Sequence, residues 1–151
     1  MINRSKLIAL CDEDYLCQYI KNKITIDKHH HYALFIPHGS KSYEQIIVSG
    51  INKLKTTRSY SVHAEIDVIN KFNKKKNKPR KVDLYIINLT KNGNYSEARP
   101  CFHCIIKLIK SKIDIRHVYY STHTGIHKET FSNMVNTTSY ISYGIKRIKN
   151  K

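Results

Sequence analysis

Residues 61–72 read SVHAEIDVINKF, and this stretch decides the fold because its apolar positions recur at the spacing of one helix face. Val62, Ile66 and Ile69 follow one another at intervals of four and three residues. Ser61 comes after a polar loop, where a hydroxyl side chain can cap the first turn of a helix. We therefore predict a helix that begins after Ser61 and ends near Phe72.

The segments on either side of this helix have the composition of β-strands. His31–Pro37 and Tyr43–Ser49 are short runs rich in β-branched and aromatic residues, separated by the turn-like sequence HGSKS. These two runs predict a β-hairpin. Val82–Leu89 is almost continuously apolar, as expected for a central strand, and the pair Asn92-Gly93 after it indicates a turn.

The second half of the chain adds one helix and two strands to this pattern. A helix is predicted to start at Pro100–Cys104, with Pro100 in its first turn, where proline is tolerated. Val118–Ser121 is predicted as a strand that turns through THTG into a fifth strand at residues 126–130. Ser5–Ile20 is expected to form an opening helix, and the tail from Ser132 has no clear period. Helices that alternate with strands predict an α/β fold in which helices pack across a mixed sheet.

Length and composition predict a single intracellular domain. The 151 residues are the size of one ordinary domain, and no stretch approaches the roughly 20 apolar residues needed to span a bilayer. Acidic residues near the start occupy the place where a secretory signal needs an apolar core. We therefore expect a cytoplasmic protein whose four cysteines are thiols or metal ligands rather than disulfides.

The net charge of +16 would ordinarily indicate a nucleic-acid partner. Its weight is reduced because the chain is also rich in Lys, Asn, Ile and Tyr, a bias that AT-rich coding produces whatever the protein binds. The strongest local basic stretch, residues 71–81, follows the predicted helix and is a possible phosphate-binding surface or simply a solvated loop. Its cationic residues are Lys71, Lys74, Lys75, Lys76, Lys78, Arg80 and Lys81.

Three residues have the types and spacing of a catalytic zinc site. A catalytic zinc takes three protein ligands and leaves a fourth position for water, which His63, Cys101 and Cys104 satisfy. Glu65 is placed to act as the general acid and base. His63 and Glu65 reach one centre only if it lies at the N-terminal end of their helix. A structural zinc site with a fourth ligand remains an alternative, although such a site does not need Glu65.

The pattern H-x-E with a later P-C-x-x-C resembles the zinc-dependent cytidine and deoxycytidylate deaminase superfamily. The resemblance covers about residues 33–122 and includes Gly50-Ile51-Asn52; the tail at 132–151 stays unassigned. It implies a three-layer α/β/α sandwich around a central mixed five-stranded sheet. It also implies hydrolysis of an exocyclic amine, commonly that of cytosine, with release of ammonia, and a homo-oligomer. Asn52 would contact the sugar, and the backbone around Ala64 and Pro100–Cys101 would line the base pocket.

Within this resemblance, a last strand that turns straight back is typical of enzymes acting on small substrates, whereas polynucleotide and deoxycytidylate types tend to insert a helix. The predicted hairpin therefore favours a free nucleoside or nucleotide over single-stranded DNA or RNA. A non-catalytic zinc module is the third alternative. Three other features receive the plainer interpretation: His29–His31 as a strand edge, His103 as a residue behind the metal ligands or on the surface, and Cys11 and Cys17 as small buried groups.

Overall fold

A six-stranded mixed sheet forms the centre of the protein. The computed structural model describes residues 16, 18–22, 31–40, 43–51, 53–55 and 60–141. In this part of the chain the strands are β1 His31–Pro37, β2 Val48–Ile51, β3 Lys53–Lys55, β4 Tyr60–Val62, β5 Lys81–Leu89, β6 Tyr95–Ser96, β7 Asp114–Thr122 and β8 Gly125–Thr130. The helices are α1 Ala64–Asn73, α2 Phe102–Lys110 and α3 Phe131–Ile141, and Tyr43–Gln45 forms a 3-10 turn.

The strands run in the order β2-β1-β5-β7-β8, and β6 adds two residues beside β5. β1 is antiparallel to both β2 and β5, β5 is parallel to β7, and β7 is antiparallel to β8. The parallel pair needs a crossover, which α2 provides, because parallel strands cannot be joined by a tight turn. The predicted mixed sheet of five strands is therefore confirmed, with β6 as a short addition.

Alternate residues of the strands point to opposite sides of the sheet, and both faces are covered by helices. Ala33 and Phe35 of β1 belong to a buried cluster that includes Val68 of α1, Leu108 of α2 and Met134 of α3. On the other face, Tyr32 and Leu34 pack in a cluster with Leu16 and Ile20 of the helical residues 16 and 18–22. The three-layer α/β/α arrangement is thus confirmed, and residues 5–15 of the predicted opening helix lie outside the described part of the chain.

Several predicted boundaries were wrong. The second strand occupies Val48–Ile51, not Tyr43–Ser49, because residues 43–45 coil into the 3-10 turn and the chain becomes extended only where Gly50 packs against α1. Ser61 does not cap α1. It lies in β4, paired with Leu54, so the extended chain continues to Val62 and His63 becomes the N-cap.

The second half of the chain also departs from the prediction in detail. Pro100 precedes α2 instead of lying in its first turn, since Cys101 is the N-cap and Phe102 the first helical residue. β7 begins four residues earlier than expected, at Asp114, whereas the hairpin into β8 is confirmed. The tail that showed no period begins with α3. Among the described residues, no helix is long and apolar enough to cross a membrane.

Candidate metal centre and active site

The starts of α1 and α2 meet on one face of the sheet and bring together three potential metal ligands. His63 is the N-cap of α1, Cys101 is the N-cap of α2, and Cys104 lies in the first turn of α2. The His63 Nδ1 atom lies 3.0 Å from Cys104 Sγ and 3.6 Å from Cys101 Sγ. The three ligand atoms all lie within 4.8 Å of one another. This agrees with the sequence-based expectation that the centre sits at the N-terminal ends of two helices.

One imidazole and two thiols form a donor set that fits zinc. The contacts between the two cysteines favour the thiolate form of Cys101. A hydrogen bond from Cys104 lowers the pKa of Cys101 to about 5, with help from the Cys104 backbone and His63 and against the effect of burial. The same hydrogen bond to Cys101, together with burial and the nearby charge of Glu65, raises the pKa of Cys104. Without metal the two thiols therefore share one proton at neutral pH.

The loop that carries Cys101 is held against the central strands. Ala98 N–H donates to the Ser121 carbonyl at 2.9 Å. The fully buried Ser121 hydroxyl accepts from Asn88 N–H at 2.9 Å and donates to the Ser96 carbonyl at 2.7 Å. Strands β5, β6 and β7 and the loop are thus joined through one residue, Ser121, which restricts how far Cys101 can move.

Arg99, the residue after Ala98, forms a second set of contacts that hold this loop. Its guanidinium pairs with Glu129 of β8, with Nε 3.1 Å from Oε2. The same carboxylate accepts a hydrogen bond from the Tyr120 hydroxyl at 2.6 Å. Burial, followed by the hydrogen bond and the charge of Glu129, raises the pKa of Tyr120, so the phenol stays a donor. The hairpin β7-β8 therefore supports the approach to α2.

The other half of the centre depends on close packing between β2 and α1. Gly50 faces α1 so closely that a Cβ atom there would lie 2.7 Å from Val68 N and 2.8 Å from Ala64 O. The buried Asp67 carboxylate of α1 accepts from Ile51 N–H at 3.1 Å and ties the strand to the helix. These contacts set the position of the α1 N-terminus, and with it that of His63.

Glu65 lies in the first turn of α1 and is only 2% exposed. Its Oε1 atom is buried and has no hydrogen-bond partner among the residues that the structure describes. A buried carboxylate oxygen of this kind needs a partner to offset its desolvation, which a water or substrate held beside the ligand cluster would provide. The observation fits a centre built to hold a metal and a small reactant.

His31, which sequence reasoning interpreted only as a strand-edge residue, is the first residue of β1 and lies at this site. Its Nε2 atom lies 3.5 Å from Glu65 Oε1 and, within the described residues, also has no hydrogen-bond partner. Burial lowers the pKa of His31, although the charge of Glu65 opposes this effect. Strand alternation could have revealed it, because His31 shares the face of Ala33 and Phe35, which packs against α1.

The remaining predicted site residues lie close to the cluster or outside the described chain. Ala64 is fully buried as the first residue of α1, and Pro100 is buried directly before Cys101. Asn52 is not among the described residues, nor are His29, His30, Cys11 and Cys17. His103 is exposed, its ring centroid 6.5 Å from that of His63, and it is not part of the ligand cluster.

The basic stretch 71–81 comprises the last residues of α1, the following loop and the first residue of β5, away from the ligand cluster at the start of α1. Its seven cationic side chains belong to exposed residues. Lys71 is already engaged, since its Nζ atom lies 3.1 Å from Asp67 Oδ2 and donates to the Ser49 carbonyl at 3.0 Å. Lys71 therefore helps to hold β2 on α1.

The fold and the cluster define a layered α/β protein with one His and two Cys at converging helix starts. Residues 40–122 match the family model described as the cytidine and deoxycytidylate deaminase zinc-binding region, more than half of the chain. The chain therefore belongs to this family of zinc deaminases. Among curated proteins, no sequence matches the chain.

Solved structures of similar fold include deaminases. Cytidine deaminase from Burkholderia pseudomallei shares 12% identity at a TM-score of 0.54, covering 88% of this chain and 96% of that one. The dCMP deaminase of cyanophage S-TIM5 in apo form shares 18% identity at a TM-score of 0.43, covering 68% and 82%. The same enzyme in complex with dCMP and dUMP gives 15% identity and a TM-score of 0.45, covering 68% and 78%. At these identities the likeness concerns the fold.

Proposed function

We propose that the protein is a zinc-dependent hydrolytic deaminase that converts a cytosine-type base, presented as a free nucleoside or nucleotide, to its keto form and releases ammonia. The observation that carries the proposal is the convergence of His63, Cys101 and Cys104 beside the buried carboxylate of Glu65. A purely structural zinc site has no use for a buried carboxylate whose Oε1 atom lacks a partner among the described residues. The geometry thus favours catalysis over a folding role.

In this proposal the cluster binds the metal, and Glu65 moves the protons. Zinc held by His63, Cys101 and Cys104 would act as a Lewis acid and lower the pKa of water. Glu65 transfers both protons of the attacking water, the first to the ring nitrogen and the second to the leaving amine. One water is consumed and one ammonia leaves. His31, 3.5 Å from Glu65, limits the positions that the carboxylate can take.

The direct connection between β7 and β8 favours a small substrate. β8 turns directly back from β7 after the two-residue turn at His123 and Thr124, with Thr122 paired to Gly125. By the family resemblance, this arrangement is typical of enzymes acting on small substrates, whereas the polynucleotide and deoxycytidylate types tend to insert a helix. The backbone at Ala64 and Pro100 would line the base pocket and Asn52 would contact the sugar, as that resemblance implies.

Two further expectations belong to the same proposal. The protein works in the reducing cytoplasm, because Cys101 and Cys104 are free thiols and must stay reduced to bind metal. It assembles as a homo-oligomer, as is common among similar enzymes. Size-exclusion chromatography with light scattering tests the assembly, and a monomer at micromolar concentration would contradict it.

The test is ammonia release by the zinc-loaded chain against nucleosides, their mono- to triphosphates, and single-stranded DNA and RNA. Glu65→Gln should keep its zinc and lose turnover by at least about 100-fold, since general acid-base catalysis contributes 100- to 10,000-fold. The matched control is Glu97→Gln, an exposed carboxylate paired with His123, which should leave turnover unchanged.

Each result has a defined meaning. Turnover of a nucleoside or nucleotide supports the proposal and names the substrate. Turnover of single-stranded DNA or RNA alone would replace the proposed function with a nucleic-acid editing activity. The basic stretch 71–81 would then have a role in binding phosphates. If Glu65→Gln retained wild-type turnover, the assigned proton transfer would be wrong. Retention of zinc with no ammonia from any substrate would favour a non-catalytic module.

A further inference from the structure

A second cluster of potential metal ligands lies at the opposite end of the sheet from the candidate active site. It consists of His38 after β1, Asp83 of β5 and His117 of β7, whose ligand atoms all lie within 4.8 Å of one another. In the β1-β5 register, His31 pairs with Asn88 whereas Ile36 pairs with Asp83, which lies five residues before Asn88 in β5. At about 3.3 Å per residue this separates the two ends by roughly 17 Å. The clusters are therefore independent sites.

The geometry is close to what a metal ion requires. His38 Nδ1 lies 2.9 Å and His117 Nδ1 3.6 Å from the same Asp83 oxygen, Oδ1. Ligand atoms around a tetrahedral zinc lie about 3.4 Å apart, given bonds of about 2.1 Å. The two imidazole rings stack at 5.3 Å between centroids. Small side-chain rotations would therefore turn the metal-free hydrogen bond into a coordination site.

The backbone around Asp83 orients the carboxylate for this purpose. Gly39 N–H donates to Oδ2 at 3.1 Å, and His117 N–H donates to Oδ1 at 3.1 Å. The second bond depends on an irregularity in β7, where the register shifts opposite Asp83. Such bulges re-aim side chains, and hydrogen bonds to a ligating carboxylate hold it in place. Asp83 itself is only 2% exposed.

A cavity beside the cluster leaves room for further ligands. It has a volume of about 360 Å³, and its lining includes His38 and His117 together with Thr130 and Ser132. Because His38 and His117 line this cavity, a metal ion held by the three side chains would have coordination positions free for water. Two imidazoles and one carboxylate suit zinc and similar divalent transition metals, whereas calcium and magnesium require oxygen ligands.

We propose that His38, Asp83 and His117 form a second divalent transition-metal site, which links the turn after β1 to strands β5 and β7. The site stands on its own, whatever the activity at the Cys101 centre. Because its ligands come from three separate elements, binding should also raise thermal stability.

Zinc binding to the full chain tests the proposal, with equilibrium dialysis and elemental analysis as the readout. Wild type should bind two zinc ions per chain and His117→Ala one. His117→Ala should weaken binding at this site by more than the 10- to 100-fold that loss of a supporting residue costs. The matched control is His123→Ala, another histidine of the β7-β8 hairpin region, which is exposed and should keep both ions.

Cobalt substitution and the Cys101→Ala variant distinguish metal binding at the two sites. The thiolate-to-cobalt charge-transfer bands report the cysteine site alone and should survive His117→Ala. Conversely, Cys101→Ala should keep one zinc ion, bound at the second site. The double variant Cys101→Ala, His117→Ala should lose that ion as well. If His117→Ala does not fold, Asp83→Asn takes its place in the same test. If wild type and His117→Ala bound zinc with equal stoichiometry and affinity, the proposal would be wrong. The three side chains would then form only a hydrogen-bonded cluster. Ammonia release is not part of this test, so its failure would bear on the proposed function alone.

Discussion

Replacing Gly50 by alanine should damage both stability and the site, because this glycine allows β2 to lie directly on α1. The added Cβ atom would meet Val68 N at 2.7 Å and Ala64 O at 2.8 Å, where ordinary contact begins at 3.4 Å. Both neighbours are backbone atoms of α1, which cannot rotate away as a side-chain end can. The strand and the helix must therefore separate by several tenths of an ångström.

The expected cost follows from this overlap. Overpacking by one methyl group in a rigid interface typically costs about 1–3 kcal/mol. For a domain of this size, 1 kcal/mol lowers the melting temperature by about 2–4 °C, so Gly50→Ala should lower it by roughly 2–12 °C. Asp67 Oδ2, 3.1 Å from the new atom, would be displaced as well, which disturbs its hydrogen bond to Ile51.

Calorimetry of purified Gly50→Ala against wild type measures the effect, and zinc content shows whether the displaced α1 N-terminus still supports the cluster. The control is Gly93→Asn. Gly93 has a φ of +82°, a conformation that asparagine adopts more readily than most residues. Among the described residues other than its chain neighbours, no atom lies within 4 Å of an added Cβ. A melting temperature for Gly50→Ala within 1 °C of wild type would refute the argument that β2 and α1 are in rigid contact.

Three other outcomes are expected. His31→Phe should keep zinc yet reduce kcat by about 10- to 100-fold, because Glu65 loses a neighbour that restricts it, and an unchanged kcat at full zinc content would contradict this. In metal-free protein, iodoacetamide should modify exposed Cys101 before buried Cys104, since a pKa of about 5 leaves Cys101 ionised at pH 7 and protonated only below that pKa. Mass spectrometry checks the order, and equal labelling would count against it. Chelation should abolish ammonia release and added zinc should restore it; activity that persists after measured zinc loss would exclude a catalytic metal.

The sequence predicted the elements whose patterns are local. Apolar spacing located α1 and β5, and the THTG turn located the β7-β8 hairpin, because helical periodicity and turn chemistry depend on neighbouring residues. The spacing of His63, Glu65, Cys101 and Cys104 also predicted the candidate cluster, since ligand number and type are written directly in the chain.

Boundaries that depend on strand pairing or on packing between elements could not be predicted in this way. Ser61 has a good capping side chain, yet pairing between β3 and β4 holds it in a strand and transfers the cap to His63. The start of β2 was misplaced for a related reason, because the close approach of Gly50 to α1 involves residues far apart in the sequence.

By itself, then, the sequence predicted the layered α/β class and proposed four residues, His63, Glu65, Cys101 and Cys104, for the candidate active site. Only the tertiary structure decided that His31 faces Glu65, and that His38, Asp83 and His117 meet at the other end of the sheet. The physical reason is that strand register and a bulge in β7 bring together residues up to 79 positions apart, from His38 to His117, and no local pattern encodes that distance.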